Sequence, residues 1–130
     1  MKTILLVDDE PHLLELVGET LKAFGYNVIP KSNAESALSV IQEGTDINLV
    51  ITDYRMPGMN GVEFLTTLRN ILPSVPVIMI TGFSSVETYL QSISLGAFEY
   101  LHKPFGDKEL YRIVKAALQP PPADNALLVA

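Results

Sequence analysis

Short runs of apolar residues alternate along the chain with longer stretches in which apolar residues recur every three or four positions. The runs have the length of buried strands, whereas the stretches have the spacing of one face of a helix. The pattern predicts five strands, at 3–7, 26–30, 47–52, 75–81 and 98–101. It predicts a helix after each strand, at about 11–25, 34–44, 62–72, 86–96 and 107–118.

Residues that favour helix starts stand between these segments. Pro11 suits the first turn of the first helix. Side chains that can cap a helix N-terminus precede the second and fourth helices, namely Ser32 or Asn33 and Ser84 or Ser85. Strict alternation of strand and helix indicates a parallel sheet with helices on both faces and right-handed crossovers. The sequence therefore predicts a protein of the α/β class.

Composition narrows the functional classes. The chain has 130 residues, of which 48% are hydrophobic and 18% charged, so it can form one domain with a real core. Its net charge is −6 and it has no cluster of Lys or Arg, which argues against a nucleic-acid-binding surface. Cations, phosphoryl donors and proteins are the expected partners. The absence of Cys excludes disulfides and thiolate metal sites and fits a reducing compartment.

The start of the chain, "MKTILLVDDE", contains a short apolar run that acidic residues interrupt at once. This run is too short and too acidic for a signal peptide. No stretch approaches the roughly 18 apolar residues of a membrane span. A soluble, cytoplasmic chain without membrane contact is expected.

Polar residues follow four of the predicted strands. In an open parallel sheet, the carboxyl ends of the strands form the ligand-binding edge. At that edge the sequence places the following residues: Asp8, Asp9 and Glu10 after the first strand, Asp53 after the third, Thr81 and Gly82 after the fourth, and His102, Lys103 and Pro104 after the fifth. Several carboxylates, a hydroxyl and an ammonium are therefore expected to lie close together.

Such a cluster favours a particular chemistry. Adjacent carboxylates repel each other, and oxygen ligands without Cys favour Mg²⁺, or alternatively Mn²⁺. A free carboxylate beside the metal, such as that of Asp53, can attack phosphorus and form an aspartyl phosphate. The metal and Lys103 would neutralise the transferring group, and the Thr81 hydroxyl and Gly82 N–H could bind its oxygens.

Four segments carry a resemblance to a known family. They are "LLVDDE" (5–10), "ITDYRMPGMNG" (51–61), "VIMITG" (77–82) and "GAFEYLHKPF" (96–105). In this order, and each at a strand end, they resemble the receiver domain of two-component response regulators, the fold family of the chemotaxis regulator. The resemblance covers residues 1–119. It implies a doubly wound, flavodoxin-like sheet of five parallel strands in the order 2-1-3-4-5.

The resemblance also implies roles for the residues at the metal and the acceptor. Asp53 would be the phosphoacceptor. Asp8 and Asp9 would be the acidic pair that holds Mg²⁺, with Asp9 the closer ligand. Asp53 itself and the backbone carbonyl of Arg55 would complete the protein ligands.

The resemblance also implies roles for the residues that change conformation on phosphorylation, called the switch residues. Thr81 would be the switch hydroxyl, and Tyr100 the switch aromatic, which turns inward when Thr81 moves toward the phosphoryl group. Lys103 would pair with the phosphoryl group, and the Lys103–Pro104 peptide bond would be cis, which X–Pro bonds tolerate. The bulky Phe83, two residues after Thr81, is expected to hinder the water that removes the phosphoryl group.

The implied function is signalling. A histidine kinase or phosphotransfer protein would donate a phosphoryl group to Asp53, and the surface of helix 4, strand 5 and helix 5 would change its affinity for a target. The chain would assist only its own phosphorylation and dephosphorylation and would not be a metabolic enzyme. Homodimers through the same surface are common in the family. Residues 120–130 begin with three prolines and are expected to form a tail, or a linker to an output domain such as that of a transcriptional regulator.

Three alternatives compete with this interpretation. A haloacid-dehalogenase-type phosphatase also uses an aspartyl nucleophile, but it needs an acid two residues later, where this chain has Arg55. A flavodoxin-like FMN protein needs a phosphate-binding loop after the first strand, where "DDEPH" would repel phosphate. A degenerate receiver that is never phosphorylated would not need the complete set of Asp, Thr and Lys residues.

Overall fold

The computed structural model describes residues 1–82 and 85–119. The predictions made for Phe83, for Ser84 and for the tail at 120–130 lie outside the described residues. Within the described part, none of the helices has the length and apolar character needed to cross a membrane.

Within the described residues, five strands and five helices alternate along the chain. The strands are β1 Thr3–Val7, β2 Asn27–Lys31, β3 Leu49–Asp53, β4 Val77–Thr81 and β5 Glu99–His102. The helices are α1 Pro11–Ala23, α2 Ala34–Gln42, α3 Gly61–Ile71, α4 Val86–Ser94 and α5 Asp107–Leu118. The strands pair in parallel in the order β2-β1-β3-β4-β5. The predicted class, strand order and helix positions are confirmed.

The sheet separates two hydrophobic clusters. One contains the buried side chains of α2 and α3, and the other contains those of α1 and α5. Every residue of β3 and β4 is buried, because both faces of these strands are covered by helices. Met56 is buried and Met59 is partly buried against the first cluster, so both stabilise the loop after β3.

The third and fourth strands begin two residues later than predicted, and the second and fifth are shifted by one residue. The third strand begins at Leu49; at Asn48, just before it, the side chain accepts the N–H of Thr3 at 2.8 Å and the backbone N–H donates to the Thr3 carbonyl at 2.9 Å. The fourth begins at Val77, directly after Pro76, which has no N–H to donate to a neighbouring strand. The third strand also extends to Asp53, so this carboxylate lies on the last strand residue.

Side-chain caps fix the start of three helices. The Asn33 side chain, rather than that of Ser32, caps α2 by accepting the N–H of Ser36 at 2.7 Å. Asn60 caps α3 and Ser85 caps α4, each within a reciprocal pair of hydrogen bonds. The cap at Asn60 fixes the chain direction where the loop after β3 enters α3.

Candidate functional site

Two buried carboxylates lie at the carboxyl edge of the sheet. Asp8 directly follows β1 and is 0% exposed, and Asp53 at the end of β3 is 4% exposed. Oxygen atoms of Asp8, Asp53 and the more exposed Glu10 all lie within 4.8 Å of one another. This spacing would allow one cation to contact all three carboxylates.

The ammonium of Lys103 lies between these carboxylates. Its Nζ atom donates hydrogen bonds to Asp8 Oδ2 and Asp53 Oδ2, each at 3.0 Å, and to Glu10 Oε1 at 3.3 Å. Lys103 follows β5, and its N–H donates to the carbonyl of Thr81 at 2.8 Å. Its peptide bond to Pro104 is cis, as the resemblance implied. We call Asp8, Glu10, Asp53 and Lys103 the acidic site.

Backbone donors hold the other carboxylate oxygens. Asp8 Oδ1 accepts the N–H of Glu10 at 2.9 Å, and Asp53 Oδ1 accepts the N–H of Arg55 at 3.3 Å. Each buried carboxylate is therefore oriented by Lys103 on one oxygen and by its own following turn on the other. The first of these turns also places the Glu10 carboxylate beside Lys103.

The pKa values of the site reflect an excess of negative charge. Burial raises the pKa of Asp8, and the negative charge of Asp53 adds to this, although hydrogen bonds from Glu10 and Lys103 oppose it. Burial alone would lower the pKa of Lys103, but hydrogen bonds and charge from Asp8 and Asp53 outweigh it and raise that pKa. Lys103 therefore stays protonated, and three carboxylates share one ammonium. A further cation would relieve the remaining repulsion.

A pocket of about 220 Å³ opens from the acidic site to solvent. It is lined by Asp9, Glu10, Asp53, Arg55, Gly82 and Lys103. Asp9 is exposed and lies at this pocket, but among the described residues it is Glu10 that joins Asp8 and Asp53 in the group of adjacent carboxylates. The sequence placed Glu10 at this edge without giving it a role, because the turn that directs its side chain could not be seen in the residue pattern.

The end of β4 leads into this pocket. Thr81 ends β4 and is fully buried, one position beyond Ile80, which pairs with Asp53. Gly82 lines the pocket, and a Cβ atom placed there would meet no heavy atom within 4 Å. The sheet edge beside Asp53 is thus open at Gly82.

Tyr100 contacts α4 from the edge strand β5. Its hydroxyl lies 2.7 Å from Thr88 Oγ1, and its ring meets that of Tyr89 edge-on with centroids 5.7 Å apart. Thr88 also belongs to the Ser85 cap of α4. The side chain predicted to change its orientation is therefore bonded to the first turn of α4.

The loop after β3 approaches α3 at Gly61. Its N–H donates to the carbonyl of Tyr54 at 2.9 Å, and a Cβ atom at Gly61 would lie 2.5 Å from the carbonyl oxygen of Asp53. At this distance a side chain would force the backbone that carries Asp53 to move. The carboxylate of Glu35 on α2 also contacts this loop by accepting the N–H of Met59 at 3.2 Å.

Replacing Gly61 by alanine is expected to lower the free energy of unfolding by about 3 kcal/mol, because the new Cβ overlaps backbone that cannot rotate away. Denaturant unfolding measures the change. Gly18→Ala is the matched control, since its Cβ would meet only Val28 at 3.9 Å. This control should be unchanged or slightly more stable, because alanine favours the helix interior. Equal stabilities for Gly61→Ala and the wild type would disprove the close approach.

Comparisons with known proteins agree on one family. The sequence model of the response regulator receiver domain matches residues 4–115. Transcriptional regulatory protein CpxR of Escherichia coli (strain K12) is 40% identical over 119 residues, which is 92% of this chain and 50% of that protein. The phosphate regulon transcriptional regulatory protein PhoB of Pseudomonas aeruginosa is 32% identical, over 91% of this chain and 52% of that protein.

Solved structures give the same result. A CheY-like response regulator receiver domain protein from Methanospirillum hungatei JF-1 has a TM-score of 0.86 at 33% identity, covering 91% of this chain and 94% of that one. The beryllofluoride-activated NtrC4 receiver domain dimer has a TM-score of 0.86 at 32% identity, covering 91% of this chain and 97% of that one. The chain spans about half the length of CpxR and PhoB.

Proposed function

Because the chain belongs to the response regulator receiver domain family, we propose that Asp53 accepts a phosphoryl group and that its phosphorylation changes the binding of a partner protein. The observation that carries this proposal is the Lys103 ammonium, 3.0 Å from both buried carboxylates. The ammonium orients the carboxylate of Asp53, which also lines an open pocket. Membership of this family by itself gives the general function, that of a receiver domain in two-component signalling.

Mg²⁺ fits the donor set of this site. Asp8 and Asp53 would hold it, with Asp9 or Glu10 and the backbone carbonyl of Arg55 as further ligands; Mn²⁺ has the same preference for oxygen. The excess negative charge of the site and its purely oxygen donors support this choice. When bound, the metal supplies positive charge that stabilises the transferring phosphoryl group.

The transfer itself uses this chain's own groups. One carboxylate oxygen of Asp53 attacks the phosphorus of a phosphohistidine on a histidine kinase or phosphotransfer protein. The P–N bond breaks as the P–O bond forms, and the histidine nitrogen regains a proton. Lys103 shifts its contact from the Asp53 carboxylate to the transferred phosphoryl group, because its ammonium can bind an oxygen of either. Gly82 lines the pocket, so its N–H is the backbone donor that we assign to the added oxygens.

The switch would run through Thr81 and Tyr100. Thr81 would approach the phosphoryl group, and Tyr100 would give up its hydrogen bond with Thr88 and turn inward. Its present contact with the first turn of α4 supports this sequence of changes. The result would be a population shift of α4, β5 and α5 toward a form that binds a target.

The partners follow from the same interpretation. The relatives CpxR and PhoB are transcriptional regulatory proteins about twice the length of this chain. This difference in length supports an output domain fused to the receiver at 1–119, with 120–130 as the linker. A separate target protein is the other form of partner, and 120–130 would then be a tail. A homodimer through α4, β5 and α5 is supported by the exposed apolar side chains of Val86 and Leu90. We place this exchange in the cytoplasm, and the chain's catalytic role is limited to its own phosphorylation and dephosphorylation.

The alternative of a haloacid-dehalogenase-type phosphatase gains no support. Arg55 occupies the position where such an enzyme needs an acid, and the matching family is that of receivers. A degenerate receiver remains the alternative that experiment has to exclude.

Intact-mass spectrometry after incubation with acetyl phosphate and Mg²⁺ tests the proposal. We expect one added phosphoryl group per chain, and none when a chelator removes the metal. Addition that is equally fast with the chelator would contradict a role for the metal. A folded protein that gains no phosphoryl group from acetyl phosphate or from a phosphorylated histidine kinase would be a degenerate receiver.

Mg²⁺ is also expected to stabilise the fold. At a concentration ten times its dissociation constant, binding to the folded state alone adds about 1.4 kcal/mol to the free energy of unfolding. Thermal or denaturant unfolding with and without Mg²⁺ measures this gain. Asp8→Asn should lose it, whereas Glu19→Gln, at an exposed acid on α1, should keep it. The same gain in Asp8→Asn as in the wild type would place the metal elsewhere.

A further inference from the structure

Tyr54 connects the acceptor strand to α4. It directly follows Asp53, and its backbone is held on both sides, because its N–H donates to the carbonyl of Ile80 at 2.9 Å and its carbonyl accepts the N–H of Gly61 at 2.9 Å. Its side-chain hydroxyl donates a hydrogen bond to Gln91 Oε1 on α4 at 3.1 Å. A fixed residue next to the acceptor therefore contacts the middle of α4 directly.

The packing of α4 makes the hydrogen bond between Tyr54 and Gln91 important for the position of this helix. Among its residues only Ser92 is fully buried, and the Ser92 hydroxyl has no hydrogen-bond partner among the described residues. Val86 and Leu90 are exposed, at 77% and 58%, whereas Ile93 is partly buried against the first hydrophobic cluster. By contrast, α3 buries several large apolar side chains. Because α4 buries less apolar surface than α3, the hydrogen bonds from Tyr54 and Tyr100 contribute directly to holding it in place.

We propose that Tyr54 is a positioning residue that, through its hydrogen bond to Gln91, holds α4 in its resting place and so opposes phosphorylation of the neighbouring Asp53. This inference rests on the proposed function, in which phosphorylation moves α4. A bond made only in the resting arrangement favours that arrangement, and by reciprocity its loss favours the phosphorylated one. This contact is separate from the hydrogen bond between Tyr100 and Thr88. It comes from the residue directly after Asp53, whereas Tyr100 lies on β5.

The first test measures α4 without any phosphoryl donor. Tyr54→Phe removes the hydroxyl and keeps the ring. We expect amide hydrogen exchange in α4 to become about five-fold faster, as befits one hydrogen bond of ordinary strength, while exchange in α2 stays unchanged. Tyr111→Phe is the matched control, since the Tyr111 hydroxyl on α5 makes no hydrogen bond with any described residue. Exchange in α4 that is unchanged, or equally accelerated by Tyr111→Phe, would overturn the proposal.

The second test measures the coupling to Asp53. With acetyl phosphate and Mg²⁺, Tyr54→Phe should be phosphorylated up to about five-fold faster than the wild type, whereas a simple loss of stability would not accelerate the reaction. Gln91→Met should give a similar increase, and the double variant no more than either single one. If the wild type is phosphorylated as fast as Tyr54→Phe, Tyr54 does not oppose phosphorylation of Asp53, but the proposed function stands. A wild type that takes no phosphoryl group would overturn the proposed function and the coupling with it.

Discussion

Asp53→Asn is expected to abolish phosphorylation completely. The asparagine amide is not a nucleophile toward phosphorus at neutral pH, and the other carboxylates of the acidic site are oriented for other contacts. Asp8 is fully buried with one oxygen on Lys103 and the other on the N–H of Glu10. Intact-mass spectrometry with acetyl phosphate and Mg²⁺ should therefore show only the unmodified mass for this variant.

The variant should remain folded, which makes the result interpretable. Asparagine has the size of aspartate, and its single oxygen can still accept from Lys103. The substitution also removes one negative charge from a site that has more carboxylates than cations. Asp46→Asn, at an exposed aspartate before β3, is the matched control and should be phosphorylated like the wild type. A phosphoryl group on Asp53→Asn would show that another residue is the acceptor.

Lys103→Met is expected to affect both stability and reaction. Methionine fills the space of the lysine stem but leaves the buried carboxylates of Asp8 and Asp53 without their shared ammonium. An uncompensated buried charge destabilises a protein by about 3 kcal/mol or more. Without metal, the free energy of unfolding should fall by about that amount. Mg²⁺ should recover part of the loss, because it supplies positive charge to the same oxygens.

The reaction should slow even where the variant is fully folded. Loss of one positioned donor to developing negative charge typically slows a reaction by about 100-fold to 1,000-fold. We expect a loss of this size in the rate of phosphorylation at saturating Mg²⁺. Lys108→Met, at an exposed lysine on α5, is the control and should react normally. Lys103→Met reacting at the wild-type rate would remove the lysine from the proposed mechanism.

The sequence alone predicted the architecture and most of the acidic site for a physical reason. Buried parallel strands read as continuous apolar runs, and their carboxyl ends lie at one edge, so Asp8, Asp53 and Lys103 could be placed together although 95 positions separate the first from the last. The pattern of apolar and polar residues along the chain shows where each strand ends. It therefore shows which carboxylates lie at the carboxyl edge of the sheet.

Contacts that depend on side-chain direction could not be predicted in this way. Glu10 joins the acidic site because a turn closed by Asp8 directs it to Lys103. The bond between Tyr54 and Gln91 joins residues 37 positions apart on elements whose relative placement is set by packing. The side chain of Asn48, just before β3, accepts the N–H of Thr3 across 45 positions of the chain. No periodic pattern contains this information.

Chemical trapping of the acyl phosphate tests the central claim most directly. Borohydride reduces an aspartyl phosphate to homoserine, which peptide mass spectrometry can locate in the chain. After phosphorylation with acetyl phosphate and Mg²⁺, we predict homoserine at position 53 and aspartate at positions 8 and 9. Homoserine at either of those positions, or an intact Asp53 in protein that carries a phosphoryl group, would contradict the assignment of Asp53 as the acceptor.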